Sequence, residues 1–360
     1  MARLEPTLDR TAYLDSSVFE RERELIFARE WCVVGRSDEA RQPGDAFLVN
    51  LVGESLFIVR GDDQRLRAFF NVCRHRGAQL IDHESPRCIE VGATIRCPYH
   101  AWSYRRDGSL ARAPFVEQID PADFGLHEAA CDEWSGFVFV QLEPSGRGLR
   151  EQLGEIPARV KNYPLDELAL GARLIYDVDA NWKVIAENYN ECYHCGPVHP
   201  ELCEIVPAFR TRGGADLDWD GGIPHRDGAW TFTIDGTSRR DPFATLDDDE
   251  RTKHKGELVY PNFFLSLAAE HVAAFMLLPF GVDRTRVVFD ALFHRDAIAA
   301  RDFDPSDAVQ LWDVTNRQDW AICERVQRGM ASRAWRHGWF APMEDLSLDI
   351  RSWYDARMAP

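Results

Sequence analysis

Residues 181–202 read NWKVIAENYNECYHCGPVHPEL. Glu187, Glu191, His194 and His199 stand close together there, with Cys192 and Cys195 between them and a Gly196-Pro197 turn in the middle. Carboxylates and imidazoles suit iron or zinc, and the thiols add a zinc option. On a helix over 184–194, Glu187, Glu191 and His194 fall at i, i+4 and i+7 and share one face. His199 lies beyond the break, which can turn it back toward the same ion. Cys192 points away from the Glu191/His194 edge, so the histidines are read as ligands and the cysteines as packing.

Two histidines need a third protein ligand. Residues 306–333 carry one long helical pattern whose apolar stripe runs Ala308, Leu311, Trp312, Thr315, Ile322, Cys323 and Val326. Asp319 falls inside that stripe, where an uncompensated carboxylate is costly. Asp313 and Glu324 lie on other faces beside Arg317 and Arg328 and read as solvated pairs. His194, His199 and Asp319 therefore make a two-histidine, one-carboxylate set with positions left open on Fe(II) for dioxygen and substrate. His225, His254, His271 and His294 are read as core, surface or pocket residues.

A second constellation lies upstream. Cys73-Arg-His75-Arg-Gly77 and Cys97-Pro-Tyr-His100-Ala-Trp102 each offer one thiolate and one imidazole at a strand-to-turn junction. Two such loops can hold zinc as Cys₂His₂, or a [2Fe–2S] cluster with two Cys on one iron and two His on the other. Cys-x-His paired with Cys-x₂-His favours the cluster over the Cys-x₂-Cys knuckles of zinc ribbons. His83, Cys88 and Cys131 fall outside the two loops and are read as ordinary residues.

The positioning elements follow from periodicity. Residues 17–31 predict a helix capped by Ser16 or Ser17. From Asp45 to about Val140, short alternating runs (AFLVNLV, SLFIVR, RAFFNV, TIRCPY, WSYRRDGSL, GFVFVQL) predict a small antiparallel β domain, with EPSGRG (143–148) as connector. LIYDVDANWKV predicts a strand, and LVYPNFFLSLA, HVAAFMLLPF and TRVVFDALFH predict three more. Residues 212–256 read as loops.

The 360 residues carry a formal charge of −17. That balance excludes the basic face a nucleic-acid binder needs and disfavours anionic lipid. No apolar stretch is long enough to span a bilayer, and the start lacks a secretory pattern, so the cytoplasm is expected. Nine cysteines there predict ligands rather than a disulfide framework.

Cys-x-His…Cys-x₂-His followed by Asn-Trp-Lys…Glu-Asn…Tyr-His-x₄-His resembles the Rieske-type non-haem iron oxygenases, over nearly the whole chain. The resemblance implies an α+β chain. Its expected parts are an N-terminal helical segment (1–40) packing on the catalytic domain, a Rieske antiparallel β domain (41–142), and a catalytic domain (143–360) with a curved antiparallel, helix-grip sheet flanked by helices. It implies a [2Fe–2S] cluster on Cys73, His75, Cys97 and His100, and Fe(II) on His194, His199 and Asp319. Most members carry Asp three residues before the first iron histidine. Glu191 in that place is similar to the branch oxidising carnitine, choline, glycine betaine and proline betaine. N-demethylation or hydroxylation of a quaternary ammonium compound is thus expected. Attack on an aromatic ring or aryl ether is the alternative, and a zinc-bound structural protein the alternative from another class.

The chain shows no Gly-x-Gly-x-x-Gly strand–helix unit. Electrons must come from an NAD(P)H-dependent flavin/iron–sulfur reductase. The resemblance also implies a homotrimer in which Glu191 bridges His194 to His100 of the next subunit, with Glu187 and Asn188 behind the iron in supporting or proton-delivery roles. Phe263, Phe264 and Phe275 are candidates for an aromatic cage around the cation.

Overall fold

The computed structural model describes residues 4–82, 84 and 86–359; His83 lies outside the described residues. The chain divides into two compact units, Phe27–Gln152 and Met1–Ile26 with Leu153–Pro360.

The first unit is antiparallel β structure. Its strands are β1 (Cys32–Arg36), β2 (Asp45–Leu51), β3 (Glu54–Arg60), β4 (Leu66–Phe70), β5 (Cys88–Glu90), β6 (Thr94–Arg96), β7 (Ser103–Arg105), β8 (Leu110–Arg112), β9 (Glu128–Trp134) and β10 (Phe137–Gln141). They form a seven-stranded sheet, β1-β10-β9-β4-β3-β2-β5, and a three-stranded sheet, β6-β7-β8. The expected boundaries of 41 and 142 are too narrow at both ends. β1 pairs with β10, and Gln152 exchanges hydrogen bonds with the backbone of Trp31, its amide donating at 2.7 Å and its carbonyl accepting at 2.8 Å. Trp31 Nε1 donates to the Arg147 carbonyl. The β9–β10 hairpin turns on Ser135-Gly136, both with positive φ, the geometry that lets a two-residue loop follow the strand twist.

The second unit is a sheet with helices. Here lie α1 (Ser16–Glu22), β11 (Leu168–Val178), α2 (Trp182–Tyr189), β12 (Lys253–Val259), β13 (Phe263–Leu267), β14 (His271–Gly281), β15 (Arg284–His294), α3 (Ser306–Met330) and α4 (Asp345–Met358). The antiparallel order is β11-β15-β14-β13-β12, with the two-residue strand Ile223–Pro224 at the edge. β13 is buried along its whole length, as expected of a central strand covered on both faces.

Several local expectations change. The first helix ends at Glu22 and continues as one wide π-helical turn, Arg23–Phe27. Its cap is Asp15, which accepts from the Ser17 amide and hydroxyl. The strand expected over 174–184 is β11, and the chain leaves it at Val178. The run 258–268 is two strands, because Tyr260-Pro261-Asn262 turns between them, and proline cannot donate to a ladder. Val326, placed in the helix stripe by periodicity, is exposed.

Candidate metal centres

In the first unit the two Cys/His loops have the same backbone. The Gly77 amide donates to the Cys73 carbonyl and the Ala101 amide to the Cys97 carbonyl; Cys73 N donates to Ala78 O and Cys97 N to Trp102 O. Each loop closes on a left-handed residue, Gly77 at φ +73° and Ala101 at φ +62°. Both cysteines are buried, whereas His75 and His100 are exposed. The imidazole rings lie 4.7 Å apart, and Trp102 stacks flat on His75 at 5.0 Å. The Tyr104 hydroxyl accepts from the Arg74 amide and sits 3.2 Å from Cys73 Sγ, within hydrogen-bond reach of the sulfur. Burial raises the Cys73 thiol, and Cys97 beside it adds to this, against the lowering effect of Tyr104. Two buried thiols held together need positive charge when ionised. Two thiolates inside and two imidazoles outside suit a cluster with one iron of each kind. Cys88 and Cys131 lie in β5 and β9, away from these loops in sequence.

In the second unit His194, His199 and Asp319 form a group of three whose donor atoms lie within 4.8 Å of one another and could hold a metal ion. His194 Nε2 and His199 Nε2 are 3.1 Å apart, and Asp319 Oδ1 is 3.2 and 2.9 Å from them. Donor atoms on one face of an octahedron with bonds of about 2.1 Å are spaced about 3.0 Å, so the triangle fits an ion. Burial alone would keep His194 neutral, but the Asp319 and Glu191 carboxylates raise it to about 11. Positive charge is required at that point, and a cation supplies it.

The route to this triangle differs from the helical reading. α2 ends at Tyr189, so Glu191 and His194 lie beyond it in a turn, and His199 follows the short helix Cys195–Val198. Glu191 reaches His194 through this turn: Oε1 accepts from Nδ1 at 2.5 Å, and Oε2 accepts from the amides of Tyr193 and His194. Asn188 Nδ2 lies 3.3 Å from His194 Nε2. Gln318, which sequence reasoning missed, accepts from His199 Nδ1 at 2.8 Å and donates to Glu201. That bond orients the ring so that Nε2 faces the ion. The only signal for it was adjacency to Asp319. Cys192 and Cys195 are buried outside the metal group, as packing residues.

Glu187 is not at the triangle. It accepts from the Tyr13 hydroxyl at 2.7 Å. Burial raises its carboxyl from 4.5 to about 7, against lowering by Tyr13 and Lys183. The folded chain thus holds this proton more tightly than the unfolded one. Its stabilising effect is complete below pH 4.5 and is lost as pH rises to about 7. A Glu187→Gln variant should match the parent in stability near pH 4.5 and exceed it near pH 8 by up to about 3 kcal/mol, read as a higher melting temperature there. Parallel melting curves at every pH would show that the carboxyl does not titrate in this range.

The Asn-Trp-Lys motif explains how α2 is held. Asn181 caps it, accepting from Lys183 N, and donates to Val282 O. Trp182 Nε1 and Lys183 Nζ both reach Glu22, at 2.8 and 2.6 Å, and the Tyr354 hydroxyl donates to the same carboxylate at 2.7 Å. Lys183 and Glu22 are fully buried.

Facing α2 and α3, the sheet presents two cross-strand rows. Leu258, Phe264, Phe275 and Phe289 are partners in one; Gly256, Ser266, Ala273, Ala291 and Ala172 in the next. The second row holds nothing larger than a hydroxymethyl. Tyr189 stacks on Phe264 at 4.4 Å, and the Trp312 ring lies 5.7 Å from Phe275. Phe263, named as a cage candidate from sequence, pairs with Met276 on the opposite face. A groove of about 920 Å³ is lined by Arg239, Arg240 and His294 among others and contains none of the metal-site residues.

A Cys₂His₂ pair of loops on a β unit and a two-histidine, one-carboxylate triangle beside a helix-covered sheet define an oxygenase of the Rieske class. Residues 30–125 match the Rieske [2Fe-2S] domain, and residues 165–360 match the ring hydroxylating alpha subunit (catalytic domain). The chain belongs to the Rieske non-haem iron oxygenases, and its cofactors are a Rieske [2Fe–2S] cluster and a mononuclear iron; the zinc alternative falls with this. It is 32% identical to the carnitine monooxygenase oxygenase subunit of Acinetobacter pittii, over 92% of this chain and 86% of that one. It is 29% identical to the glycine betaine monooxygenase oxygenase subunit of Chromohalobacter salexigens, over 98% and 86%. Among solved structures, the quaternary ammonium Rieske monooxygenase CntA with L-carnitine superposes at a TM-score of 0.79 and 26% identity, covering 99% of this chain and 96% of that one.

Proposed function

We propose that this chain is the terminal oxygenase of a system that oxidises a quaternary ammonium compound by hydroxylating an N-methyl carbon, after which the amine and formaldehyde separate. The cluster of Tyr189, Phe264 and Phe275 rings beside the helix that precedes the metal triangle supports this, because aromatic faces attract a cation that cannot donate a hydrogen bond. The relatives named for carnitine and glycine betaine support the substrate class.

In this reading the cluster supplies single electrons and the iron activates dioxygen. Cys73, Cys97, His75 and His100 hold the first; His194 Nε2, His199 Nε2 and Asp319 Oδ1 hold the second. Gln318 and Glu191 fix the imidazole tautomers by accepting from Nδ1–H. The sheet rings exclude water and orient the methyl group. Glu187, with Tyr13, holds a proton within the helix that carries Asn188. The chain works as a homotrimer in which Glu191 meets His100 of a neighbouring copy, and a separate NAD(P)H-dependent reductase delivers electrons. One solved relative has been described in terms of inter-subunit electron transfer. No helix among the described residues is long and apolar enough to cross a membrane, which suits a cytoplasmic location.

Oxygen uptake with a generic reductase tests the reading. Carnitine, glycine betaine and choline should stimulate uptake and release formaldehyde, and aromatic acids should not. Stimulation by aromatic acids alone would assign the chain to ring or aryl-ether chemistry.

A further inference from the structure

A cleft of about 190 Å³ lies where β12, the end of α2 and the start of α4 meet. Asn190, which ends α2, donates to the Leu346 carbonyl at 2.8 Å and ties two of its walls together. Three rings border the cleft: Tyr189, Trp219 and Tyr260. Each is backed by another ring in near-parallel stacking. Phe264 backs Tyr189 at 4.4 Å and 21°, Phe209 backs Trp219 at 6.1 Å and 22°, and Trp353 backs Tyr260 at 4.8 Å and 27°. The backing rings lie outside the cleft wall, so the stacked faces look away from the cleft and the planes of its three rings are held.

Gly256 of β12 also borders the cleft. A Cβ there would meet the Trp219 ring at 3.6 and 3.7 Å, so a longer side chain would run into the indole. A glycine inside a strand forgoes packing and weakens the strand; here it keeps the place beside Trp219 open. The charge is one-sided. Glu257, Asp220 and Asp349 border the cleft, and against them stands the Arg159 guanidinium. Arg159 donates to both oxygens of Glu257, at 2.7 and 2.6 Å, and lies 3.7 Å from Asp220. Asp349 accepts from the neutral Tyr260 hydroxyl at 3.1 Å. The cleft thus keeps an excess of negative charge beside its rings, a wall that suits a cation with no N–H to donate. The Asp220 side chain is 86% exposed, so the cleft reaches solvent. At the inner side, Tyr189 and Asn190 stand in the chain between two partners of His194. These are Asn188, 3.3 Å from Nε2, and Glu191, which accepts from Nδ1 at 2.5 Å.

We propose that this cleft is an outer binding site for the substrate's quaternary ammonium group, which Trp219 and Tyr260 hold and Asp220 and Asp349 attract before it passes Tyr189 to the metal triangle. This deepens the quaternary ammonium reading and rests on it. The cleft captures the cation and does no chemistry, since the methyl carbon that reacts must lie at the iron. Carboxylates at such a mouth raise the local concentration of a cation and speed its encounter, an effect that salt weakens.

The test reads Trp219 directly. Its fluorescence, taken as the difference between the parent holoenzyme and Trp219→Leu, should change as choline is added. The neutral carbon isostere, 3,3-dimethylbutan-1-ol, should leave it unchanged at the same concentrations. Asp319→Ala should keep the response, because the cleft contains none of the metal-site residues. Asp349→Lys should shift it to about tenfold higher choline. In turnover, Trp219→Leu and Asp349→Lys should lower kcat/KM for a quaternary ammonium substrate severalfold and kcat less, and added salt should depress kcat/KM more in the parent than in Asp349→Lys. A Trp219 signal that ignores choline at concentrations saturating turnover overturns the proposal, as does an equal response to the alcohol. If Trp219→Leu does not fold, Asp349→Lys decides, since that side chain is exposed; parental kcat/KM with parental salt dependence overturns the proposal. A parent that oxidises no quaternary ammonium compound overturns the functional reading, and the role of the cleft with it. A parent that does, with a silent Trp219, overturns the proposal alone.

Discussion

Asp319→Ala yields a brown protein that does not turn over. Its Oδ1 is one corner of a triangle with sides of 2.9–3.2 Å, and two imidazoles alone do not close an iron site. One iron per chain should be lost, while the visible absorption of the cluster stays, because the four proposed cluster ligands, Cys73, His75, Cys97 and His100, lie within Phe27–Gln152. The loss of turnover should exceed the roughly 10–100-fold that follows removal of an outer hydrogen-bond partner. Gln318→Ala and Glu191→Gln are the companions in that smaller class. Each leaves all three donor atoms in place; the first removes the acceptor that orients the His199 ring and the second the negative charge beside His194, so metal content should fall less than turnover. Full iron and parental activity in Asp319→Ala, measured by elemental analysis and oxygen uptake on the same sample, would remove the carboxylate from the site.

Lys183→Met is the other severe change. It leaves the Glu22 carboxylate fully buried with only Trp182 Nε1 and the Tyr354 hydroxyl as partners. Breaking a buried pair from one side costs about 3–5 kcal/mol. Melting temperature should fall by many degrees, and α2, which carries Asn188 and Tyr189, should lose its anchor. The double variant Glu22→Gln, Lys183→Met should recover much of the loss, since no unpaired charge remains. A single variant that melts with the parent would show that the pair contributes nothing to the fold.

Residue type and spacing singled out His194, His199 and Asp319, and the structure brings their donor atoms into one group, because metals restrict which side chains can serve. Asp319 was readable as a carboxylate within an apolar stripe. The geometry that joins Glu191 to His194 was not. Periodicity extends a helix through 184–194, whereas the chain leaves it after Tyr189, and backbone amides that bind the Glu191 carboxylate replace the helical bonds. Gln318 was beyond reach for a different reason. It meets His199 through a hydrogen bond across 119 residues of sequence, and an isolated glutamine carries no local mark of that. Six strands of the first unit followed from alternation, but β1, β5, β8 and β9 did not; the five residues of β1 are all buried and show no alternation.

The division of the chain bears on how it is made. Phe27–Gln152 is one uninterrupted stretch, whereas the other unit is assembled from Met1–Ile26 and everything after Leu153. During synthesis, Cys73, His75, Cys97 and His100 have all been translated before His194. The electron-carrying part can therefore complete its fold and accept its inorganic centre while the oxygen-handling part is still being made. Glu22 has the opposite fate. It emerges early, yet its partners Lys183 and Tyr354 are 161 and 332 residues further on, so the nascent N-terminal helix must keep a carboxylate in water until nearly the last turn of α4 has left the ribosome. Translation order thus favours cluster insertion before oxygen chemistry can begin.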